Sequence, residues 1–253
     1  MHMEHITSLK NPRVQVWRSL KDRKGRRETG CFLAEGRKMV EEALASGFPV
    51  EALLVNEARA GEFNLTGDIP VYALPENVLA AVCDTKTPQG VAAVVKAQPN
   101  IRLGRRVVAL DGVQDPGNVG TIIRTADAAG LGGVILSGQC ADVFSPKVLR
   151  ATMGSVFRMP MVVTDDLPGY LLGLRERGYS VISSQLDGEP FYRRGNVGES
   201  FCLIIGNEGN GVSDEVKATA THRVKLPMRG GAESLNAAIA AGIMMYDLMK
   251  DEM

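Results

Sequence analysis

The loop that follows the apolar run Phe201–Ile205 has the composition of a ligand-binding turn. The run is rich in β-branched and aromatic residues, which is typical of a buried strand. It stops at Gly206–Gly211 (GNEGNG), where missing side chains let a ligand approach the backbone. The glycine order GxxGxG differs from the GxGxxG of dinucleotide-binding turns, and the chain has no GxxxxGK[ST] phosphate loop. The pattern predicts a pocket made largely of backbone groups, with Glu208 embedded in it.

A second polar loop contains Pro227 and the glycine pair at 230–231, and it leads into a predicted helix. The helix body Leu235–Met249 is hydrophobic nearly all round, so we expect it to be buried on several sides. Ser234 or Glu233 can cap it. Its apolar run is too short to span a membrane.

The segment Asn118–Arg124 (NVGTIIR) follows an Asp-Pro-Gly turn and opens a helix predicted at about Val119–Ala129. Gly117, Thr121 and Arg124 share one face of it by their spacing. An arginine near a helix start opposes the helix macrodipole, so helix stability does not account for Arg124. Two interpretations stay open: a surface arginine, or a guanidinium that binds a phosphate or an oxyanion.

Other chemistries have little support in this sequence. The histidines at 2, 5 and 222 form no catalytic pair, and no HExxH motif or paired acids occur. The cysteines at 31, 83, 140 and 202 include no CxxC pair, which argues against a zinc site or a disulfide scaffold. We therefore expect no metal, and because no signal peptide is visible, we expect a cytoplasmic protein.

The composition is that of a globular protein with an uneven charge distribution. The 253 residues suffice for one large domain or two small ones, and the net charge is zero. A predicted helix at 11–25 carries the basic run, which is either a solvated face or a surface that contacts phosphates. The basic residues of this run are Lys10, Arg13, Arg18, Lys21, Arg23, Lys24, Arg26 and Arg27.

The order of predicted elements indicates two α/β domains. In residues 1–97 we expect strands at 31–34, 50–55, 69–73 and 90–95 and helices at 37–45 and 76–82. A polar linker at 98–106 follows. In residues 107–253 we expect strands at 106–110, 133–136, 161–163, 179–183 and 201–205 and helices near 145–152 and 167–177. This alternation predicts a parallel sheet, on which ligands bind beyond the carboxyl ends of the strands.

Three ordered motifs resemble those of the SpoU (TrmH-like) RNA 2′-O-ribose methyltransferases. They are Asn118-x-Gly-x-x-x-Arg124, Gly206-Asn207-Glu208-Gly209-x-Gly211, and the segment from Leu226-Pro227-Met228 to Ser234-Leu235-Asn236. The resemblance extends over about Val107–Met249. The first domain, with its FLAEG segment at 32–36, looks like the ribosomal-protein-like substrate-binding domain that often precedes the catalytic one.

The resemblance implies a deep trefoil knot of the SPOUT fold in the parallel-sheet domain, a homodimer, and S-adenosylmethionine as cofactor. General topology rules exclude threaded loops, and this class is among the exceptions. The implied catalytic residues are Arg124, Asn118, Glu208, Ser234 and Asn236. The implied cofactor-binding residues are Ser137, Gly138, Ile205, Gly206, Asn207, Gly209, Leu226, Met228, Ser234 and Leu235.

The reaction that the resemblance implies moves a methyl group from a sulfonium to a ribose 2′-hydroxyl without a metal. Arg124 occupies the position of the family's catalytic residue. Because arginine stays protonated in proteins, we favour phosphate binding and alkoxide stabilisation over a role as general base. The basic run then favours RNA as partner.

The sequence leaves other functions of the protein open. The two-domain layout favours ribosomal over transfer RNA. A non-catalytic RNA-binding or ribosome-assembly module of the same fold is another candidate. A nicotinamide-dependent oxidoreductase would rest on the glycine loops alone.

Overall fold

The computed structural model describes residues 3–63, 68–97 and 102–252, which form two compact units. One unit contains the residues up to Ala97 together with Asp142–Phe157, and the other contains the remaining residues. Residues 98–101 of the predicted linker lie outside the described residues. The helices in the described part of the chain lack the combination of length and apolar character that a membrane crossing requires.

The first unit is an α/β structure around a mixed sheet. Its elements are β1 (Met3–His5), α1 (Pro12–Ser19), α2 (Arg23–Thr29), β2 (Cys31–Glu35), α3 (Arg37–Ala45), β3 (Val50–Asn56), β4 (Val71–Leu74), α4 (Glu76–Val82) and β5 (Val91–Lys96), with a 3₁₀ helix at Glu57–Glu62. The strand order is β1-β4-β3-β5-β2, and β5 is antiparallel to both of its neighbours. The short edge strand β1 was missed in the sequence because Met3–His5 gives no alternating pattern.

The basic segment forms two helices, so the prediction of one helix at 11–25 is wrong. The chain leaves α1 at Leu20 and starts α2 at Arg23. Val14, Trp17 and Leu20 are buried, as their helical spacing predicts. Gly25 lets α2 lie close to the end of α1, because an added Cβ would lie 2.1 Å from the carbonyl oxygen of Ser19.

The segment Asp142–Phe157 contains a helix, α6 (Pro146–Thr152), and a 3₁₀ turn at Ser155–Phe157. Phe144 stacks on Phe32 of β2 with ring centroids 4.5 Å apart. Phe157 packs edge-on against Phe48 at 5.4 Å. These aromatic contacts explain why the segment belongs to the first unit, although in sequence it lies between strands of the second.

The second unit contains a parallel sheet of order β11-β9-β10-β6-β7-β8. Its strands are β6 (Arg106–Asp111), β7 (Val134–Ser137), β8 (Met161–Thr164), β9 (Ser180–Pro190), β10 (Phe201–Gly206) and β11 (His222–Lys225). Its helices are α5 (Pro116–Ala128), α7 (Leu167–Glu176), α8 (Asp214–Lys217) and α9 (Ala237–Met249), with 3₁₀ turns at Phe191–Arg193 and Lys250–Glu252. Helices between parallel strands cover the sheet, which confirms the α/β prediction.

Strand β10 lies in the middle of this sheet between β9 and β6, and Phe201–Ile205 is buried. Burial on both faces explains why this strand has a continuous apolar sequence rather than an alternating one. Its carboxyl end is the glycine loop, so the fold brings that loop to the edge of the sheet where ligands bind.

Helices α5 and α9 begin at residues other than those predicted from the sequence. Helix α5 starts at Pro116, because Asp115 accepts a hydrogen bond from Asn118 N and caps it. The Asp-Pro-Gly segment is thus a helix start rather than a turn. Arg124 therefore lies past the middle of α5, and the macrodipole argument does not apply to it. Helix α9 is capped by Asn236 rather than by Ser234 or Glu233, so that prediction is wrong.

Helix α9 is buried on one face only. Ala241, Met244 and Met245 are buried, but Ile239 and Tyr246 are 55% and 44% exposed. The expectation that this helix is buried on several sides is therefore wrong for the single chain. An apolar stripe at four- and three-residue spacing, formed by Ile239, Ile243 and Tyr246, faces outwards.

Candidate active site

A cavity lies at the carboxyl ends of β9, β10 and β11, next to the start of α9. Its volume is about 500 Å³, within the range of ordinary small-molecule pockets. The lining includes eight of the ten predicted cofactor residues, namely Ile205, Gly206, Asn207, Gly209, Leu226, Met228, Ser234 and Leu235. The fold therefore brings the glycine loop and the segment before α9 together around one space.

Ser137 and Gly138 are not part of this lining. Ser137 is buried at the end of β7, where its Oγ accepts a hydrogen bond of 2.9 Å from the backbone N–H of Gly112. A Cβ on Gly138 would lie 2.3 Å from Oδ1 of Asp165. Ser137 therefore joins the turn after β6 to the end of β7, and Gly138 lets the turn after β7 lie against the end of β8.

Gly206 has no room for a side chain. An added Cβ would lie 2.1 Å from the carbonyl carbon of Gly211 and 2.2 Å from the nitrogen of Val212. Both contacts are with backbone, which cannot move aside as a flexible side chain can. The glycine therefore lets the loop fold back on itself and bring its backbone groups to the cavity.

Asn207 fixes the shape of the glycine loop. Its side-chain Nδ2 donates to the carbonyl of Gly112 at 2.8 Å, and its Oδ1 accepts from the N–H groups of Gly209 and Asn210. Its backbone exchanges two hydrogen bonds of 2.9 Å with Gly211. With its side-chain groups engaged in this way, Asn207 organises the loop and leaves ligand contacts to its neighbours.

One hydrogen-bond network joins the three motif segments. Nδ2 of Asn118 donates to Oε1 of Glu208 at 2.9 Å, and Nδ2 of Asn236 donates to Oδ1 of Asn118 at 2.9 Å. Oδ1 of Asn236 accepts from the first N–H groups of α9. The chain of contacts therefore runs from the glycine loop through the start of α5 to the start of α9.

Glu208 is held as a carboxylate by this network. Its two oxygens also accept from the backbone N–H groups of Gln114 and Asp115 at 3.1 Å. Desolvation by itself raises the pKa of Glu208, but the hydrogen bonds from Asn118 and the backbone outweigh it, and the pKa lies below its ordinary value of 4.5. Glu208 is therefore a fixed negative charge and an acceptor, which suits positioning rather than proton donation.

Arg124 is not part of the network. It is exposed on α5, and the described residues offer its guanidinium no hydrogen bond or ion pair. Its five N–H donors are therefore free to bind an anionic ligand. Ser234 is likewise exposed, and it lines the cavity.

Part of the cavity wall was missed in the sequence. Strand β9 continues to Pro190, well beyond the predicted end at Ser183, and residues 184–187 line the cavity. These residues are not paired with β11, because the adjacent β11 residues Arg223 and Val224 pair with Ser183 and Glu189 of β9. A Cβ on Gly188 would lie 2.5 Å from the nitrogen of Val224. That glycine was the one available signal, since a glycine in a strand often marks a bulge or a close approach.

The predicted RNA-binding residues of the first unit do not form one uniform set. Six of them are exposed: Lys10, Arg13, Arg18, Arg23, Lys24 and Arg27. Arg13 pairs with Glu4 at 2.7 Å, and Lys21 donates to the carbonyl of Ala81 at 2.6 Å. The exposed cations provide a basic surface of the kind that contacts phosphates.

Arg26 does not belong to this exposed surface. It is only 8% exposed, and its guanidinium donates to the carbonyls of Leu20 and Lys21 and to the carboxylate of Asp142 at 2.7 Å. The residue is a structural cation that joins α2 to the 142–157 segment. Sequence reasoning grouped it with the others because spacing alone does not reveal burial.

Within residues 3–63, 68–97 and 102–252, no group of three or more His, Cys, Asp or Glu side chains is arranged to hold a metal ion.

Two family models match the chain. The model of the SpoU rRNA Methylase family matches residues 105–246, and that of the MRM3-like substrate binding domain matches residues 11–93. A relative from Bacillus subtilis (strain 168), named 23S rRNA (guanosine(2553)-2′-O)-methyltransferase RlmP, is 42% identical over 97% of this chain and 99% of its own length.

Solved structures of similar proteins agree with these matches. An AdoMet-bound rRNA methyltransferase from Sinorhizobium meliloti is 35% identical and superposes with a TM-score of 0.88, covering 99% of both chains. The SpoU methyltransferase AviRb from Streptomyces viridochromogenes, in complex with AdoMet, is 31% identical with a TM-score of 0.87 and covers 96% of this chain and 98% of its own.

Proposed function

Because the chain belongs to the SpoU rRNA methylase family, we propose that it transfers a methyl group from S-adenosylmethionine to a ribose 2′-hydroxyl of ribosomal RNA. The observation that carries the proposal is the network Glu208–Asn118–Asn236. It joins all three motif segments beside a cavity of cofactor size. The Bacillus subtilis relative is named as a 23S rRNA 2′-O-methyltransferase, and two related structures contain the cofactor.

The cavity fits S-adenosylmethionine in size and in the character of its walls. Buried apolar side chains of Ile205, Val212 and Met244 form part of the lining, and the glycine loop adds backbone groups. Charged side chains of Asp187 and Lys225 lie at its exposed part. When bound, the cofactor supplies a methyl group activated by a sulfonium. The residues of this chain hold the partners of that transfer in position.

We assign to Arg124 the binding of an RNA phosphate and the stabilisation of negative charge on the 2′-oxygen. The free guanidinium supports this role, because a fork of donors matches a phosphate or an alkoxide. A role as general base is disfavoured, since arginine keeps its proton in proteins. Asn118 and Asn236 fix the two helix starts on which the site is built, and Ser234 offers a hydroxyl to a substrate phosphate.

We assign RNA binding to the first unit through its exposed cations on α1 and α2. Positive side chains that neutralise phosphates release counterions condensed on the nucleic acid, which gives affinity without sequence reading. Recognition by shape and by 2′-hydroxyl contacts fits the scarcity of aromatic residues, which make up 5% of the chain. Ribosomal RNA is the target that the relatives favour, and transfer RNA is the alternative to be tested.

We further propose that the protein is a homodimer, with α9 in the interface. The exposed stripe Ile239, Ile243 and Tyr246 supports this, because contiguous apolar residues on a helix mark association surfaces. The trefoil knot and the cytoplasmic location are proposed with it. Family membership supports the knot, and the RNA substrate supports the location.

The test is methyl transfer to RNA transcripts that carry no modification. Purified protein is incubated with labelled S-adenosylmethionine and either 23S ribosomal or transfer RNA transcripts, and the RNA is digested to nucleosides. We expect label in a 2′-O-methylated nucleoside from the ribosomal transcript. Label in transfer RNA alone would refute the ribosomal target. Cofactor binding without label in either RNA would favour an RNA-binding module instead.

A further inference from the structure

Gln185 is a buried polar side chain in the cavity wall, and its Nε2 has no hydrogen-bond partner among the described residues. It lies where β9 leaves its regular pairing, and it is only 8% exposed. Its Nε2 is shielded from solvent and makes no hydrogen bond to any residue that the structure describes. A buried amide without a partner costs free energy, so a side chain of this type at this position calls for an explanation.

The other buried or fixed amides and acids around the cavity are already engaged. Asn207 is bonded to the glycine loop and to Gly112, and Glu208 to Asn118 and two backbone N–H groups. Asn236 is bonded to Asn118 and to the start of α9. Among the described residues, Gln185 is therefore the buried carboxamide of this lining that remains available to a ligand.

The surroundings of Gln185 suit a flat ring with a polar edge. Ile205, Val212 and Met244 are almost fully buried apolar parts of the same lining. Three charged residues of the lining, Asp187, Lys225 and Glu233, are exposed. The ammonium and carboxylate of the cofactor's amino-acid half match the exposed charges, whereas the purine ring matches the buried wall.

We propose that the carboxamide of Gln185 recognises the adenine of S-adenosylmethionine through paired hydrogen bonds to its N6 amino group and N7. This inference rests on the proposed function, because it assumes that the cavity binds this cofactor. A carboxamide carries a donor and an acceptor side by side, which is the arrangement by which glutamine reads the same edge of adenine in nucleic acids. The terminal torsion of glutamine is broad and nearly two-fold, so the amide can turn to match that edge.

The perturbation is Gln185→Met, which keeps the length of the side chain and removes both polar groups. Isothermal titration measures the affinity for S-adenosylmethionine and for methylthioadenosine, which lacks the amino-acid half. We expect both affinities to fall by the same factor, roughly 5- to 150-fold, the range of one good bidentate pair. Gln15→Met, in the other unit, makes the same chemical change and should leave both affinities unaltered.

A second readout separates ligand recognition from a structural role. Because the ligand-free wild type buries an unpaired amide, Gln185→Met should have a Tm equal to or above that of the wild type. Weaker binding together with an unchanged or higher Tm supports the inference. Weaker binding that accompanies a clearly lower Tm of the ligand-free protein would instead mean that Gln185 supports the fold, and it would overturn the inference.

The identity of the recognised edge is tested with methylthioinosine, in which an oxygen replaces the N6 amino group. Wild type should prefer methylthioadenosine, and Gln185→Met should bind the two ligands about equally. A variant that keeps the full preference overturns the assignment of Gln185 while the cofactor site stands. A wild type that binds neither S-adenosylmethionine nor methylthioadenosine overturns the proposed function, and the inference with it.

Discussion

The replacement Asn118→Asp isolates the contact between the start of α5 and the glycine loop. The two side chains have nearly the same shape, but the change puts a carboxylate oxygen where Nδ2 now donates to Oε1 of Glu208 at 2.9 Å. Asn118 is 8% exposed, so solvent cannot simply replace the lost donor. Oδ1 can still accept from Asn236, which restricts the perturbation to the Glu208 side.

The expected loss of stability is about 2.5–4 kcal/mol at neutral pH. A hydrogen bond to a charged group contributes roughly 1.5–3 kcal/mol. Two charges about 4 Å apart repel by up to roughly 4 kcal/mol near a protein surface, and salt reduces this value because Glu208 is exposed. We therefore count only about 1 kcal/mol for the repulsion.

The penalty should depend on pH in a direction that can be worked out. In the folded variant, repulsion between the introduced carboxylate and Glu208 raises the pKa of this pair, so the folded state takes up a proton more readily than the unfolded chain. Uptake of that proton removes the repulsion and restores a donor. The deficit relative to the wild type should therefore be largest at about pH 7.5 and shrink as the pH falls towards about 5.

Urea denaturation followed by circular dichroism at both pH values measures the difference in the free energy of unfolding. Asn196→Asp is a matched control on an exposed loop, where the side chain accepts from Gly198 and can still do so as a carboxylate. The control should change stability by less than about 0.5 kcal/mol. An equally small effect of Asn118→Asp, or a deficit that grows on acidification, would refute the role given to this contact.

Three further perturbations test other parts of the structure. Gly206→Ala should abolish measurable S-adenosylmethionine binding in calorimetry, because the new Cβ would meet backbone at 2.1 Å, whereas Gly230→Ala, with nothing within 4 Å, should bind normally. Arg26→Ala should lower the free energy of unfolding, measured in urea, by about 3–5 kcal/mol, because it leaves the partly buried acid Asp142 unpaired. Arg27→Ala should lower it by less than about 0.5 kcal/mol, and similar losses for both variants would contradict the assignment of Arg26 as a structural cation. Ile243→Glu should shift the sedimentation of the protein from dimer to monomer, and an unchanged dimer would exclude this face as the interface.

The sequence alone was sufficient to predict the helices and strands that have a clear local pattern of apolar residues. The helix at Arg37–Ala45 and that at Glu76–Val82 were predicted with their observed bounds, and Phe201–Ile205 was recognised as a buried strand. Hydrophobic periodicity and flanking breakers carry that information. The grouping of the glycine loop with the loop before α9 followed from the rule that strand ends share one edge of a parallel sheet.

The incorrect predictions share one physical cause. Tertiary contacts select one of several local structures that the sequence allows. Asn236 and Ser234 are both good caps, and the bond from Asn236 to Asn118 selects the former. Arg26 and Arg27 are adjacent in one basic run, but only Arg26 meets Asp142. Gln185 was not predicted as a site residue, because its burial without a hydrogen bond from Nε2 to any described residue is not encoded in sequence spacing.

We propose that Arg124 acts on the RNA and on the 2′-oxygen without contributing to the fold or to cofactor binding. The decisive measurement is single-turnover methyl transfer to 23S ribosomal RNA by Arg124→Ala, with Arg177→Ala, an exposed arginine at the end of α7, as the control. We predict a rate at least about 100-fold lower, the size of effect seen when one transition-state donor is removed. The affinity for S-adenosylmethionine and the Tm should be unchanged, because Arg124 has no partner among the described residues. A rate within about two-fold of the wild type, or a loss explained by weaker cofactor binding, would contradict the account.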